Sequence, residues 1–224
     1  AAMKWLVGVV QNISNVPPSI DSSKLEIIES GLSNYNGSCG RPMLNSVALE
    51  RLDALELANE HNARIVVTAA KEDGMPTNEH ERVDTVGRIL EIAKSKGFES
   101  SDIYVDPLFF PISVSNEYGL HALNAIKIIR QEFGKDIHIT GGMSNVSFGL
   151  PKRKLINEVF VRLAIEYGAD SGIIDPVQTR ISRVFDLDMN SHPAKIAQDM
   201  LLGQDEFCVN YISEFRSGNL GSIG

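Results

Sequence analysis

The sequence predicts an α/β fold built on a parallel sheet, and three patterns carry that expectation. Short apolar runs alternate with longer amphipathic ones along the chain. Runs such as Ile65, Val66 and Val67 are apolar without alternation, as expected of a parallel strand covered on both faces. Ala122, Ile126, Ile129 and Phe133 recur at spacings of four, three and four, which draws one apolar stripe along a helix. Strand and helix in strict alternation imply right-handed βαβ units.

The chain opens on an amphipathic stretch, Ala2 to Ile13, read as a helix. The first strand, Val16 to Asp21, ends on Asp21 with Ser22 and leads into a helix over Lys24 to Asn34. Pro42 to Val47 is the second strand, with Asn45 and Ser46 at its end, and a helix follows over Leu49 to His61. Arg64 to Ala70 is a third strand before a helix over Glu79 to Lys96. Asp102 to Pro107 is a fourth, with Asp106 before Pro107, and the striped helix follows over Asn116 to Phe133. Ile137 to Ser144 precedes a helix over Lys152 to Tyr167, Ser171 to Pro176 ends on Asp175, and a closing helical region runs from Pro193 to Phe215. That makes six strands where a closed (β/α)8 barrel needs eight. An amino-terminal piece of about 40 residues, two strands and a helix, is therefore expected to be absent from a single barrel domain spanning residues 1–224.

The totals narrow the function classes. With 43% hydrophobic and 22% charged residues, the 224-residue chain has the balance of a globular protein with a buried core. A net charge of −8 without a basic block argues against a nucleic-acid partner. No apolar run approaches the length that spans a bilayer and no signal-peptide order is present, so a cytoplasmic location without a membrane partner is expected. Cys39 and Cys208 stand far apart, which gives neither a disulfide framework nor a Cys-x-x-Cys metal site. The histidines, at 61, 80, 121, 138 and 192, have no zinc-binding spacing, and no Gly-x-Ser-x-Gly elbow suggests hydrolysis. No bound metal is expected.

Parallel α/β architectures place ligands at the carboxyl ends of their strands, where Asp21, Asn45, Asp106, Ser144, Asn145 and Asp175 fall. Taken singly, each is the ordinary N-cap of the next helix. Together they would form a rim of acceptors and donors suited to an uncharged ligand rich in N–H groups, and a reduced pterin, with its aminopyrimidinone edge, is such a ligand. Gly141 and Gly142 lack the spacing of a phosphate-binding fingerprint and are read as points of close backbone approach.

The stretch GGMSNVSFGLP at Gly141 to Pro151, followed by KRKLIN and VFVRLAIEYGADSGIIDP, resembles the carboxyl-terminal half of methyltetrahydrofolate:corrinoid methyltransferases and of the folate domain of cobalamin-dependent methionine synthase. IDSS at Ile20 to Ser23, LNSVALE at Leu44 to Glu50, DGMP at Asp73 to Pro76, IYVDPL at Ile103 to Leu108 and MLLGQDEFCVNYI at Met200 to Ile212 extend the resemblance, in order, from Met3 to about Arg216. It implies a (β/α)8 barrel of the triosephosphate isomerase type that binds a pterin in its mouth. On it, Asp21, Asn45 and Asp106 are similar to residues that hydrogen-bond the pyrimidine edge, and Asn145 to the asparagine that approaches the methyl-bearing nitrogen. Asn145 and Asp106 are thus the catalytic candidates. Ser144 and Ser147 line the same loop, Arg153 is similar to an arginine near the mouth, and Asp175 is a further pterin-binding candidate. For Arg153 the alternative is a solvent-facing first-turn residue.

The resemblance further implies methyltetrahydrofolate as substrate, a corrinoid (cobalamin) supplied by a partner protein or domain, and a homodimer. The Asp-x-His-x-x-Gly signature of corrinoid modules does not occur in the sequence. Two alternatives remain at this level: a dihydropteroate synthase-like enzyme, for which a basic pyrophosphate site is not evident, and a pterin-binding subunit or fragment without catalysis. Folate and methanopterin are not distinguished, nor is the direction of flow.

Overall fold

A computed structural model describes residues 1–221. Its chain divides into two compact units. The first comprises Ala1–Pro76, Asp84–Asp106 and Lys135–His138; the second comprises Thr77–Val83, Pro107–Gly134 and the chain from Ile139 onward.

The first unit is built on a parallel sheet. Its elements are α1 (Ala2–Ile13), β1 (Ser19–Asp21), α2 (Leu25–Leu32), β2 (Met43–Val47), α3 (Ala54–Glu60), β3 (Arg64–Thr68), the Asp84 end of α4 (Glu79–Ser95) and β4 (Ile103–Asp106). The strand order, counting β5 (His138–Ile139), is β1-β2-β3-β4-β5, and pairing is parallel from β1 to β4. This is an α/β fold whose five-stranded sheet is consistent with part of a (β/α)8 barrel.

Register explains the burial. Ile20, Leu44, Ile65 and Ile103 partner one another in a row across four strands, and all are buried. Successive side chains on a strand point to opposite faces, so the residues one step on, Asp21, Asn45 and Val66, lie on the other face. Gly31 of α2 shows which face the helices cover. A Cβ there would meet Ile20 Cγ2 at 2.5 Å, so the absence of a side chain lets α2 press onto the apolar row. At the amino ends of the strands Arg41 Nη1 holds Asp102 Oδ1 at 2.6 Å, with Arg64 Nε 3.8 Å from the same oxygen.

The second unit is helical. It holds α5 (Tyr118–Phe133), α6 (Arg153–Tyr167), α7 (Ile181–Asp186), α8 (His192–Leu201) and α9 (Val209–Arg216). The stripe on α5 faces inward: Ala122, Ile126 and Ile129 are buried and Phe133 is half-buried. On α6 every residue from Ile156 to Val161 is buried, as befits a helix that meets α5, α7 and α8.

Two expectations change here. The strand expected over Ser171 to Pro176 is reduced to one parallel bridge between Gly142 and Ile173. Ser171 and Ile173 do donate to the carbonyls of Ile139 and Gly141, but the Ile139 amide is taken by the Asp170 carboxylate at 2.8 Å, so a side chain occupies a rung of the ladder. The closing helix expected from Pro193 to Phe215 is broken in two, and α7 is an additional short helix. Gly203 ends α8 at φ +76°, and Phe207 and Cys208 follow in the left-handed region at φ +55° and +56°. Buried Asp205 restarts the helix, accepting from the amides of Asn210 at 2.9 Å and Tyr211 at 2.8 Å.

Candidate functional site

Register brings three of the sequence-derived candidates to the carboxyl ends of adjacent strands in the first unit. Asp21 of β1 partners Asn45 of β2, and Asp106 of β4 partners Thr68 of β3. The Asn45 amide donates to Asp21 Oδ2 at 3.3 Å, which orients its carbonyl oxygen away from that carboxylate. Asp21 is exposed, whereas Asn45 and Asp106 are half-buried. Asp21 and Asn45 share one row that continues through Val66 and Tyr104, and Asp106 ends β4 two residues further along, so two carboxylates and a carboxamide at these strand ends can accept several N–H groups and donate one back. That is the complement of a heterocycle edge carrying amino and ring N–H groups beside an acceptor.

Two further residues at these strand ends do not stand out in the sequence. Thr68 was hidden inside an apolar run; its register with Asp106 and its burial place a hydroxyl-bearing side chain in the β3 position of the rim. Arg51 was hidden in a helical reading. Its guanidinium donates to the Ser22 carbonyl at 3.3 Å and the Ser23 carbonyl at 2.9 Å, and to Ser46 O at 2.7 Å and Ser46 Oγ at 3.2 Å. A recurrent polar residue after each strand was the available signal, and neither position follows that pattern.

The second unit carries the other candidates. Met143–Ser147 forms a 3₁₀ turn in which the Asn145 amide donates to the Gly142 carbonyl at 3.0 Å. A Cβ on Gly142 would lie 2.9 Å from Asn145 Nδ2, so glycine is what lets the carboxamide lie against the backbone. Asn145 is exposed. Ser147 is fully buried, and its hydroxyl donates to the Ser144 carbonyl at 3.0 Å while accepting from Arg153 Nε at 3.0 Å. Arg153 Nη2 donates to Ser144 O at 2.9 Å, and the guanidinium lies 5.8 Å from the ring centre of Phe148. Ser147 and Arg153 therefore hold the turn that presents Asn145. Phe148, 65% exposed, is an aromatic face in the same loop that the sequence did not single out.

Asp175 is occupied locally. Its Oδ1 accepts from the Val177 and Gln178 amides at 2.9 and 3.3 Å, and Oδ2 from Gln178 Nε2 at 3.0 Å, the pattern of an Asx turn.

Residues 1–175 match the family of pterin binding enzymes. The chain belongs to the pterin-binding enzyme family. Over 228 aligned residues this pterin-binding chain is 32% identical to a methylcorrinoid:tetrahydrofolate methyltransferase of Eubacterium limosum, covering 99% of the chain and 79% of that relative. It is 30% identical over 189 residues to the methionine synthases of Mycobacterium leprae (strain TN) and Mycobacterium tuberculosis (strain ATCC 25618 / H37Rv). Those alignments cover 78% of the chain and only 15% and 16% of the much longer synthases.

Three further features bound what this pterin-binding chain brings to a reaction. Among the described residues no group of three or more His, Cys, Asp or Glu is arranged to hold a metal ion. Burial, then the nearby Asp205 carboxylate, pushes the Cys208 thiol above its usual pKa, which disfavours a thiolate nucleophile. No helix among the described residues is long and apolar enough to cross a membrane.

Proposed function

We propose that this chain transfers a methyl group between a methyl-tetrahydropterin, methyltetrahydrofolate in the first instance, and the corrinoid of a partner protein. The observation that carries the reading is the likeness to a methylcorrinoid:tetrahydrofolate methyltransferase over 99% of the chain. Chemical sense supports it at the rim of the first unit, where Asp21, Asn45 and Asp106 offer the acceptors and donor that a pyrimidine edge needs.

The methyl group on the pterin sits on a tertiary nitrogen, a poor leaving group until that nitrogen gains positive character. In this reading the Asn145 carboxamide donates a hydrogen bond to that nitrogen as charge develops, and Ser144, Ser147 and Arg153 keep the donor in place. An asparagine has no acidic proton to give up. The proton that remains on the demethylated nitrogen comes from ordered water. The corrinoid, held by a partner, supplies a Co(I) nucleophile that takes the methyl group, and the nitrogen keeps the bonding electron pair.

Free cysteines and a strongly reducing acceptor both suit the cytoplasm, and a homodimer joined through the exposed apolar side chains around α9 completes the proposal. Methylation of a Co(I) corrinoid by methyltetrahydrofolate, followed by absorbance, tests donor, acceptor and competence together. Turnover is the expected result. Binding of methyltetrahydrofolate without any methylation would leave a non-catalytic pterin-binding protein.

A further inference from the structure

We propose that Arg51 is a positioning residue for the pterin edge: it clamps the loop leaving β1 to the carboxyl end of β2 and so sets the Asp21–Asn45 pair. The proposal rests on the pterin reading above. Ser22 and Ser23 directly follow Asp21, and Ser46 directly follows Asn45. All four oxygens that Arg51 meets, at 2.7 to 3.3 Å, lie on these three residues. One guanidinium nitrogen serves the loop after β1 and the other serves Ser46 at the carboxyl end of β2. The planar fork thereby fixes the separation of two strand exits that are otherwise tied by a 3.3 Å side-chain bond and a 3.4 Å bond from the Ser22 amide to Asn45 O.

The ladder between β2 and β3 shifts register between Asn45 and Val47, so sheet pairing alone does not dictate where Ser46 sits. Arg51 makes up that lack through both the carbonyl and the hydroxyl of Ser46. Its Nε is buried without a partner, so the orientation of the group is governed by the clamp. A lysine carries one point-like ammonium and cannot span both strand ends.

The test is titration of methyltetrahydrofolate into the wild-type chain, Arg51→Lys, Arg51→Ala, Asn45→Ala and the double variants, beside melting curves. Arg51→Lys and Arg51→Ala should each raise Kd by about tenfold, roughly 1.4 kcal/mol. In the Asn45→Ala background the further loss should largely vanish, since a residue acting through Asn45 is not additive with its removal. If Arg51→Ala does not fold, Arg51→Lys carries the cycle with Asn45→Ala. Wild-type binding combined with unchanged affinity in Arg51→Lys, or with fully additive losses, overturns the role of Arg51 and leaves the pterin reading standing. Failure of the wild-type chain to bind overturns both.

Discussion

Asp106 and Asn145, both proposed to meet the pterin, are positioned in two different ways. Asp106 ends a strand whose preceding residues Ile103 and Val105 are buried, so its position is inherited from the sheet. Removing it would leave N–H groups of a bound pterin unpaired at about 1 to 3 kcal/mol. Asp106→Ala should therefore weaken binding of methyltetrahydrofolate by about 5- to 150-fold, while a change at exposed Glu91 on α4 leaves affinity unaltered. Calorimetry that finds both variants equal removes Asp106 from the site. Asn145 owes its position to a turn rather than to a strand, and its proposed role is to donate a hydrogen bond in the transition state. Asn145→Ala should slow single-turnover methyl transfer by about 10²- to 10³-fold with a smaller effect on binding of the unmethylated pterin. An unchanged rate in a variant of lowered melting temperature would make it a loop residue only. At this scale the sequence exposed the residues that directly follow the strand rhythm. It hid Thr68 and Arg51, whose roles depend on register and on which loops a guanidinium can reach.

Between elements, small contacts decide. Gly119 in α5 has no room for a side chain, because a Cβ there would run into the backbone carbonyl of Leu201 in α8. A backbone atom cannot rotate aside, so Gly119→Ala should cost about 1 to 3 kcal/mol and lower the melting temperature. A melt identical to wild type would show that the two helices separate freely. The α8–α9 pair carries a pH-dependent contact. The hydrogen bond from His192 at 2.8 Å, then one from Asn219, holds the Glu214 carboxyl below its usual pKa of 4.5. A depressed folded-state value adds stability above the unfolded pKa and loses it as pH falls through the folded one. Wild type and Glu214→Gln should thus differ in melting temperature near pH 6 and converge as the pH falls below 4.5 through the folded-state value. A gap that persists into acid would contradict the assignment. Elements whose local pattern agrees with their packing were readable: α1 was expected over the residues it occupies, and α5 and α6 begin within two residues of expectation. The closing helix was not readable as two, since its break comes from backbone conformations at Gly203, Phe207 and Cys208 and from the buried Asp205 cap.

For the whole molecule, association is the open expectation that surface chemistry can test. Among the apolar side chains of the closing region, Leu201 and Tyr211 are fully buried and Leu202 and Ile212 are half-buried, whereas Phe207 is 81% and Val209 64% exposed. Phe207 and its neighbour Cys208 are two successive left-handed residues, and Phe207 stands outward. An isologous pair would bury it, so Phe207→Ser should shift sedimentation from dimer to monomer at micromolar protein. A single monomer mass for the wild-type chain would end that idea. By itself the sequence determined the α/β class, the alternation of strand and helix from β1 to α5 and the pterin-binding family, because periodicity, polar strand ends and long ordered motifs are properties of the chain read locally. Tertiary structure decided which polar residues share a row, that Ser147 and Arg153 support a turn, that Asp175 caps its own loop and that Arg51 bridges two strand exits. Register and loop-to-loop reach bring together residues far apart in sequence, and periodicity carries no record of those distances.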